Sequence, residues 1–571
     1  MNIARYVRTL RYLRWAQISG QVMVRLKRRW RDPAKMLSGS PASWKLAQGS
    51  GDLNLCPPVP PQDPESLARG TFCFINQTAE LGSPVDWTAE GMPRLWSYNL
   101  HYFDWLWSLL DGSREVEGRK ADDKAWDSAK KLTLDWIENH RPSKSAGGWE
   151  AYPVSLRLMN WALLYGVKYR DQLQKDEAFQ KQFLESIGRQ VKWLELNIET
   201  HIQANHLLEN LVALVCVSSV FEGDESERVL ARYLPMLSRE LDEQFLPDGM
   251  HYERSPMYHL RMLWLVKVLK GAWASRPHLL ISLTKLAGKM KLALSKLRHP
   301  DGEIALFNDA VHGIYHDAWK TDEVPEGTWA LEDAGYYGFR DTDGNYLIVD
   351  AGAVGPDYQP GHAHADYLSF ELSMRGHRMI TDTGIGTYDT GERRSYDRST
   401  AAHSTVEVEG ANSAEVWGGF RVGRRVTPEV VEWDDARDVF FLKAKHDGYQ
   451  HLPCQAVHTR SFEWMDGSLE IQDAIQVSQE SEAVSRLHFS PECDLKLDGR
   501  MLKIKLQGKQ YHCLVDGNCE VSIESHPSCL EFGDDKERGV LVMRHQLQVG
   551  KNDWTVRIEP ERKSENRNVE S

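Results

Sequence analysis

The sequence predicts an α+β chain of two unlike halves, a helical assembly followed by a large antiparallel β-sandwich, and three observations carry that prediction. From about Trp96 to His299 apolar residues recur every three or four positions, the period of a helix with one buried face. From about Tyr337 the period shortens to two, in brief β-branched and aromatic runs separated by Gly, Asp and Asn. All the helical segments precede all the strand segments, without the alternation that a parallel βαβ sheet requires.

Each element follows in order. Residues 1–65 read as a basic helical segment and an extended lead-in rich in proline between Pro57 and Pro61. Residues 66–330 hold amphipathic runs such as AWDSAKKLTLDWIENH, SLRLMNWALLYGV, NHLLENLVALVCVSSVF and MYHLRMLWLVKVLKGAW, with breaks at Gly147-Gly148, Pro153, Asp248-Gly249 and Pro277. At least seven such helices in pairs predict a toroid or a superhelix. Residues 331–560 carry runs such as GNYLIVDAG, YLSFELSMRG, STVEVEG and HTRSFEWMDGSLEIQDAIQV, enough for a dozen strands. Residues 561–571 form a polar tail. Trp and Tyr number 20 each and many fall in the helical half, where most are expected to pack the core and a few to stack on sugar rings.

Composition narrows the function classes. The net charge of -13, with no P-loop and no zinc-finger spacing, argues against a nucleic-acid partner. The eight cysteines include no CxxC pair and are expected to be free thiols. No stretch reaches the roughly 20 apolar residues of a membrane span, and Arg5, Arg8, Arg11 and Arg14 interrupt any secretory core. The expected location is therefore the cytoplasm or the periphery of the inner membrane, with the periplasm left open. The basic N-terminus admits two readings, a helix lying on an anionic membrane surface and a helix whose apolar face docks on the body. The docked helix is the expectation.

Three clusters hold residues able to do chemistry. In HIQANHLLEN, Asn205 and Glu209 share a helix face and His206 lies beside them. In LPDGMHYERSPMYH, a Pro-Asp-Gly turn leads to Tyr252, Arg254 and Tyr258, a phenol acid/base set with a nearby cation or else a well-bonded loop. In PGHAHADYLSFEL, His362 and His364 stand two apart at the start of an expected strand, on one face of it. With Asp382 and His403 they make a donor set suited to zinc, or a hydrogen-bonded cluster without metal.

GHAHADYLSFEL, the TDTG after it and RSYDRSTAAHSTV resemble the signature of the heparinase II/III family of polysaccharide lyases, and NHLLEN and DGMHYERSPMYH match that family's segments in order. The resemblance runs from about Trp96 to Gly423. It implies an incomplete (α/α) toroid followed by a multi-sheet antiparallel β-sandwich. It further implies that Asn205 and His206 face a uronate carboxylate, that Tyr258 is the catalytic phenol and that His362 is its partner. His364, Asp382 and His403 fall on metal positions of some members, here a structural Zn2+, with no organic cofactor implied.

Cleavage by β-elimination removes the C5 proton beside a carboxylate and expels the C4 oxygen. The carboxylate must first be neutralised by donors such as an amide and an imidazole. A base then takes the proton and an acid protonates the leaving oxygen, each transfer contributing about 10²–10⁴-fold. The glutamate pair that hydrolysis uses does not stand out. Glu209, Tyr252, Arg254, Arg393, Arg394 and Arg398 are the expected substrate-binding residues, the arginines holding carboxylate or sulfate. Three readings remain open: a lyase on an acidic polysaccharide, a uronyl C5-epimerase, and a non-catalytic glycan-binding protein.

Overall fold

The computed structural model describes residues 3–30, 37, 44–47, 55–111, 123–142, 147–273, 277–315, 326–435 and 439–561. The expected tail lies outside the described residues beyond Glu561. Two N-terminal helices, α1 (Ile3–Leu10) and α2 (Trp15–Trp30), precede the helical half. Its longer helices are α3 (Arg94–Tyr102), α4 (Asp123–Asn139), α5 (Ala151–Trp161), α6 (Glu177–Asn197), α7 (Ala204–Val220), α8 (Asp224–Gln244), α9 (Pro256–Ala272) and α10 (Pro277–Lys296). They form the incomplete (α/α) toroid, with α7 packed on α5, α8 and α9, and α9 packed on α10.

Beyond Asn210 helix α7 is almost wholly apolar, which suits a helix enclosed by others. Every residue of it is buried except His206 and Ser219. Helix α9 is likewise buried from Pro256 to Leu269 except at Tyr258 and Lys267. The two core helices are thus sealed near their N-termini apart from one imidazole and one phenol. Trp96, Trp105, Trp107, Trp136, Trp161 and Trp264 are fully buried, so the tryptophans serve mainly as core.

The β half holds sheets of five, eight and four strands. The five-stranded sheet runs Gly327–Leu331, Tyr336–Arg340, Tyr346–Asp350, Phe370–Met374 and His377–Ile380, with antiparallel neighbours throughout. Its first strand crosses the expected domain division between residues 330 and 331. The third and fourth strands are buried at every residue, because alternate side chains serve different layers. Tyr336, Tyr346 and Ile348 pack with Ala293, Leu297 and Phe307 of the helical half. Tyr337, Leu347 and Val349 pack with Phe440, Leu442 and Phe462 of the eight-stranded sheet. This sheet therefore joins the two halves, and the loops beyond its edges meet the helix N-termini.

All eight cysteines are free. No helix among the described residues is long and apolar enough to cross a membrane. The expected docking of the N-terminal helix by its apolar face is reversed, because neither α1 nor α2 buries that face.

Candidate active site

Asn205, His206, Tyr258 and His362 all line one cavity of about 1090 Å³ between the helical and β halves. The backbone that delivers them is bent at three places. Gln203 (φ 67°, ψ −156°) and Ala204 (φ 51°) precede Asn205, Arg254 (φ 59°) follows Glu253, and Asn308 (φ 59°) precedes Asp309. Gln203 occupies a region that suits glycine, at a cost of about 1–3 kcal/mol for a residue with a Cβ, and such strain gathers at working sites.

Ser255 ties these segments together. Its Oγ accepts from Tyr258 N (3.2 Å), capping α9, and donates to Asp309 O (2.6 Å). Asp309 N in turn donates to His362 O (3.0 Å), and His364 N donates to Asn308 Oδ1 (3.1 Å). The His362 ring lies over the Tyr258 ring, with centroids 4.0 Å apart and planes 30° apart. Its Nδ1 is 2.8 Å from Asp309 Oδ2 and its Nε2 is 3.3 Å from Glu253 Oε2. Glu253 also accepts from Asn205 N (3.0 Å), linking α7 to the imidazole.

Electrostatics assigns different tasks to these groups. Burial alone would raise the Asp309 carboxyl, but Arg394 and the hydrogen bonds from His362 and His364 hold it well below the usual carboxylate range. An ionised Asp309 accepts from His362 Nδ1–H and fixes the ring, leaving Nε2 for proton transfer. Burial raises the Glu253 carboxyl, against the pull of His362 and of the hydrogen bond from Asn205 N. Burial, with Tyr388, Tyr152 and Tyr315 around it, pushes the Tyr258 phenol well above its ordinary value. Its hydroxyl meets that of Tyr388 at 3.2 Å. Tyr258 is thus a proton donor before substrate arrives.

Burial would depress His206, but Glu199, Glu253 and Glu209 outweigh it and raise the imidazole above 6.5. His206 Nδ1 lies 3.2 Å from Glu199 Oε1, and its ring meets that of Tyr152 at 4.5 Å between centroids, tilted by 38°. An imidazole biased toward its cationic form, beside the Asn205 amide, forms a receptor for a carboxylate.

The six expected substrate-binding residues are absent from the cavity lining, each for an identifiable reason. Glu209 is fully buried and pairs through both oxygens with Arg261 (2.7 and 3.0 Å). Tyr252 is buried against Tyr358, hydroxyl to hydroxyl at 3.0 Å. Arg254 donates to the carbonyls of Ala353 and Asp333. Arg393 pairs with Asp397 and Asp535. Arg394 is sealed onto Asp309, and Arg398 is spent on the carbonyls of Ala363, Gly418 and Arg421. The arginines that do reach the cavity are Arg94 and Arg261, the latter one turn beyond Tyr258 on α9. Sequence reasoning missed both, together with Asp309, Glu199 and Tyr388. The Tyr258–Arg261 spacing of three on one helix was the available signal for Arg261.

His364, Asp382 and His403 come together, with one ligand atom from each within 4.8 Å of the others. All three are buried, and His364 Nδ1 and His403 Nε2 have no hydrogen-bond partner. Burial lowers His364 to about 4, so its imidazole is neutral, as a ligand must be. His364 Nε2 is held from outside the set by Asp309 Oδ1 (2.9 Å), while His403 Nδ1 pairs with Asp382 Oδ2 inside it (2.6 Å). The donor set fits a metal ion. GHAHAD itself is a loop rather than a strand start, since the next strand begins only at Phe370.

Residues 68–320 match the family description "Heparinase II/III N-terminus" and residues 323–561 match "Heparinase II/III-like, C-terminal". A heparin-sulfate lyase of Pedobacter heparinus is 25% identical over 47% of this chain and 47% of its own length. The chain thus aligns with about half of that relative. FtsZ-localized protein C of Caulobacter vibrioides is 23% identical over 94% of both chains. A heparinase III crystal structure superposes with a TM-score of 0.70 at 16% identity, covering 94% of this chain and 88% of the other, which establishes the fold.

Proposed function

The chain belongs to the heparinase II/III family, and from that premise we propose that it is a polysaccharide lyase cleaving a uronic-acid-containing polymer by β-elimination. The observation that carries this reading is the stacked Tyr258–His362 pair, 4.0 Å between centroids, at the cavity where Asn205 and His206 also stand. Asn205 and cationic His206 neutralise the uronate carboxylate and make the C5 proton removable. Tyr258 and His362 divide the base and acid roles, and the configuration at C5 decides which takes the proton. Burial keeps the phenol protonated, so its proton is available to the departing C4 oxygen, with His362 Nε2, steadied by Asp309, as the base.

The charge of the lining supports a sparsely charged substrate. Arg94 and Arg261 are its permanent cations among the described residues, and each is already matched, by Glu150 (2.9 Å) and by Glu209. Asp63, Asp104, Glu150, Glu199, Asp389 and Glu531 stand on the same lining. A densely sulfated chain would meet these carboxylates without compensating arginines. An unsulfated uronate polymer, with one carboxylate per repeat for Asn205 and His206, is the better fit. His364, Asp382 and His403 would hold a structural zinc ion, which would cross-link the loops behind His362.

The test is incubation with heparosan, hyaluronan, chondroitin, alginate and a sulfated heparan, reading the ultraviolet absorbance of the unsaturated uronate. Absorbance from an unsulfated polymer, lost in Tyr258→Phe, is the expected result. Deuterium entering C5 without chain cleavage would instead select an epimerase. A second, non-catalytic reading is favoured by the relative matched over 94% of both chains, whose name describes localisation with FtsZ. Co-localisation of the tagged chain with FtsZ, unaffected by Tyr258→Phe, is its test.

A further inference from the structure

The first two helices are amphipathic with the wrong side out. In α1, Ile3, Val7 and Leu10 follow the i, i+4, i+7 spacing of one helix face, and they are 71%, 59% and 51% exposed. The opposite face docks by polar groups. Arg5 and Arg8 bind Glu415, Thr9 Oγ1 accepts from Trp417 Nε1 (3.1 Å), and Tyr6 meets Trp417 edge-on. No residue of α1 is buried.

Helix α2 repeats the arrangement. Trp15, Ile18, Val22 and Leu26 form one outward stripe, with Trp15 the most exposed at 78%. The inward side is Gln17, which donates to Tyr358 O (2.9 Å), and Gly20, whose Cα lies so close to His201 that a Cβ would be 2.6 Å from His201 Cβ. Half of the large exposed apolar side chains among the described residues, eight of sixteen, fall between Ile3 and Leu26. Such a concentration marks an interaction surface rather than ordinary scatter.

Charge identifies what the surface meets. The first 31 residues hold nine Arg and Lys and no acid, in a chain of net charge -13. Arg5, Arg8 and Arg14 are neutralised by Glu415 and Glu243. Arg11 and Arg25 remain exposed beside the stripe, and Lys27, Arg28, Arg29 and Arg31 follow in sequence.

We propose that the outward face of α1 and α2 binds the surface of an anionic lipid bilayer, with the helices lying in the headgroup region rather than crossing it. Apolar side chains with flanking cations and an interfacial tryptophan are the elements of such a contact. A soluble acidic protein would use the cations but leave Trp15, Ile18 and Val22 without an apolar counterpart. The docking points add a consequence. His201 lies four residues before Asn205 and Tyr358 four before His362, so membrane attachment holds the segments that carry the cavity's imidazoles.

Co-sedimentation of the full chain with phosphatidylcholine vesicles, and with vesicles containing phosphatidylglycerol, tests this. Pelleting only with the anionic vesicles, weakened by salt, is expected. Ile18→Asp combined with Val22→Asp should cut the bound fraction about tenfold while leaving the thermal melt unchanged, because both side chains face solvent. Ile3→Asp with Val7→Asp gives an independent pair on α1. Wild-type protein that stays in the supernatant, or variants that pellet like wild type, overturn the proposal. So does a dimer in light scattering that these substitutions dissociate, without vesicle binding, since the face would then belong to a second copy of the chain.

Discussion

His362 and His364 stand two residues apart in one loop and bind the same carboxylate, yet their surroundings are opposite. His362 takes Asp309 Oδ2, lines the cavity and lies on Tyr258. His364 takes Asp309 Oδ1, is fully buried and joins Asp382 and His403. One carboxylate thus orients a proton-transferring imidazole on one side and a ligand-like imidazole on the other. Access to the cavity, rather than residue type or motif, separates chemistry from support. The sharpest way to break this division is to truncate each in turn. His362→Ala is expected to lower turnover about 10²–10⁴-fold with little change in the urea midpoint. His364→Ala is expected to lose about 1–3 kcal/mol of stability while the folded fraction keeps most of its turnover. Matching losses of turnover from both variants, with equal stability, would remove the distinction.

Arg394 tests the shared carboxylate itself. Arg394→Ala leaves Asp309 charged, buried and short of its strongest partner, a loss of about 3–5 kcal/mol by urea denaturation. The sign with pH follows from the depressed Asp309 carboxyl. Its contribution is present above the ordinary carboxylate pKa and is lost as pH falls through the folded value. The stability gap between wild type and Arg394→Ala should therefore narrow towards acid. On the other face of the loop, zinc at about 100 times its dissociation constant should add about 2.7 kcal/mol to wild type, read as a higher melting temperature. Asp382→Ala should show no such gain.

A milder contrast separates His206 from its neighbours. Its raised pKa means that the cationic form is present at low pH and lost as pH rises through a value above 6.5. Turnover on a uronate polymer should fall on that alkaline limb. His206→Asn should abolish the limb, leaving a lower but flatter profile, because an amide donates without titrating. A limb unchanged in His206→Asn would assign the titration to another group.

The two halves and the four cavity residues were legible because they rest on local patterns. Period marks helix against strand, and NHLLEN, DGMHYERSPMYH and GHAHAD each place a reactive group near an element's start. The expected substrate arginines stand off the cavity lining for a nonlocal reason. A sequence displays charge but not the partner that consumes it, and Arg394 meets Asp309 across 85 positions. Asp309 itself sits in no motif, although it organises the site. The N-terminal helices teach the same lesson in reverse. Periodicity identified an apolar face but not which face meets the body, and Glu415 and Trp417, some 400 residues away, draw in the polar side.

The smallest effect concerns backbone strain, and it again pairs two regions. Gln203 holds a glycine-like conformation two residues before Asn205, whereas Asp466 holds φ 52° in the tight turn between Ala456–Met465 and Ser468–Val477, far from the cavity. Glycine at either position relieves strain but frees the unfolded chain, which offsets about 0.5–1 kcal/mol of the gain. Gln203→Gly should therefore stabilise by about 1 kcal/mol at most, and Asp466→Gly by less, since aspartate tolerates the left-handed region. Their effects on turnover should part. A loosened Gln203 lets the first turn of α7 shift, and the Asn205 N–H to Glu253 bond with it, so turnover should fall severalfold as stability rises. Asp466→Gly should leave turnover unchanged. Equal turnover in both variants would mean that the bend at Gln203 belongs to the fold alone and does not place the carboxylate receptor.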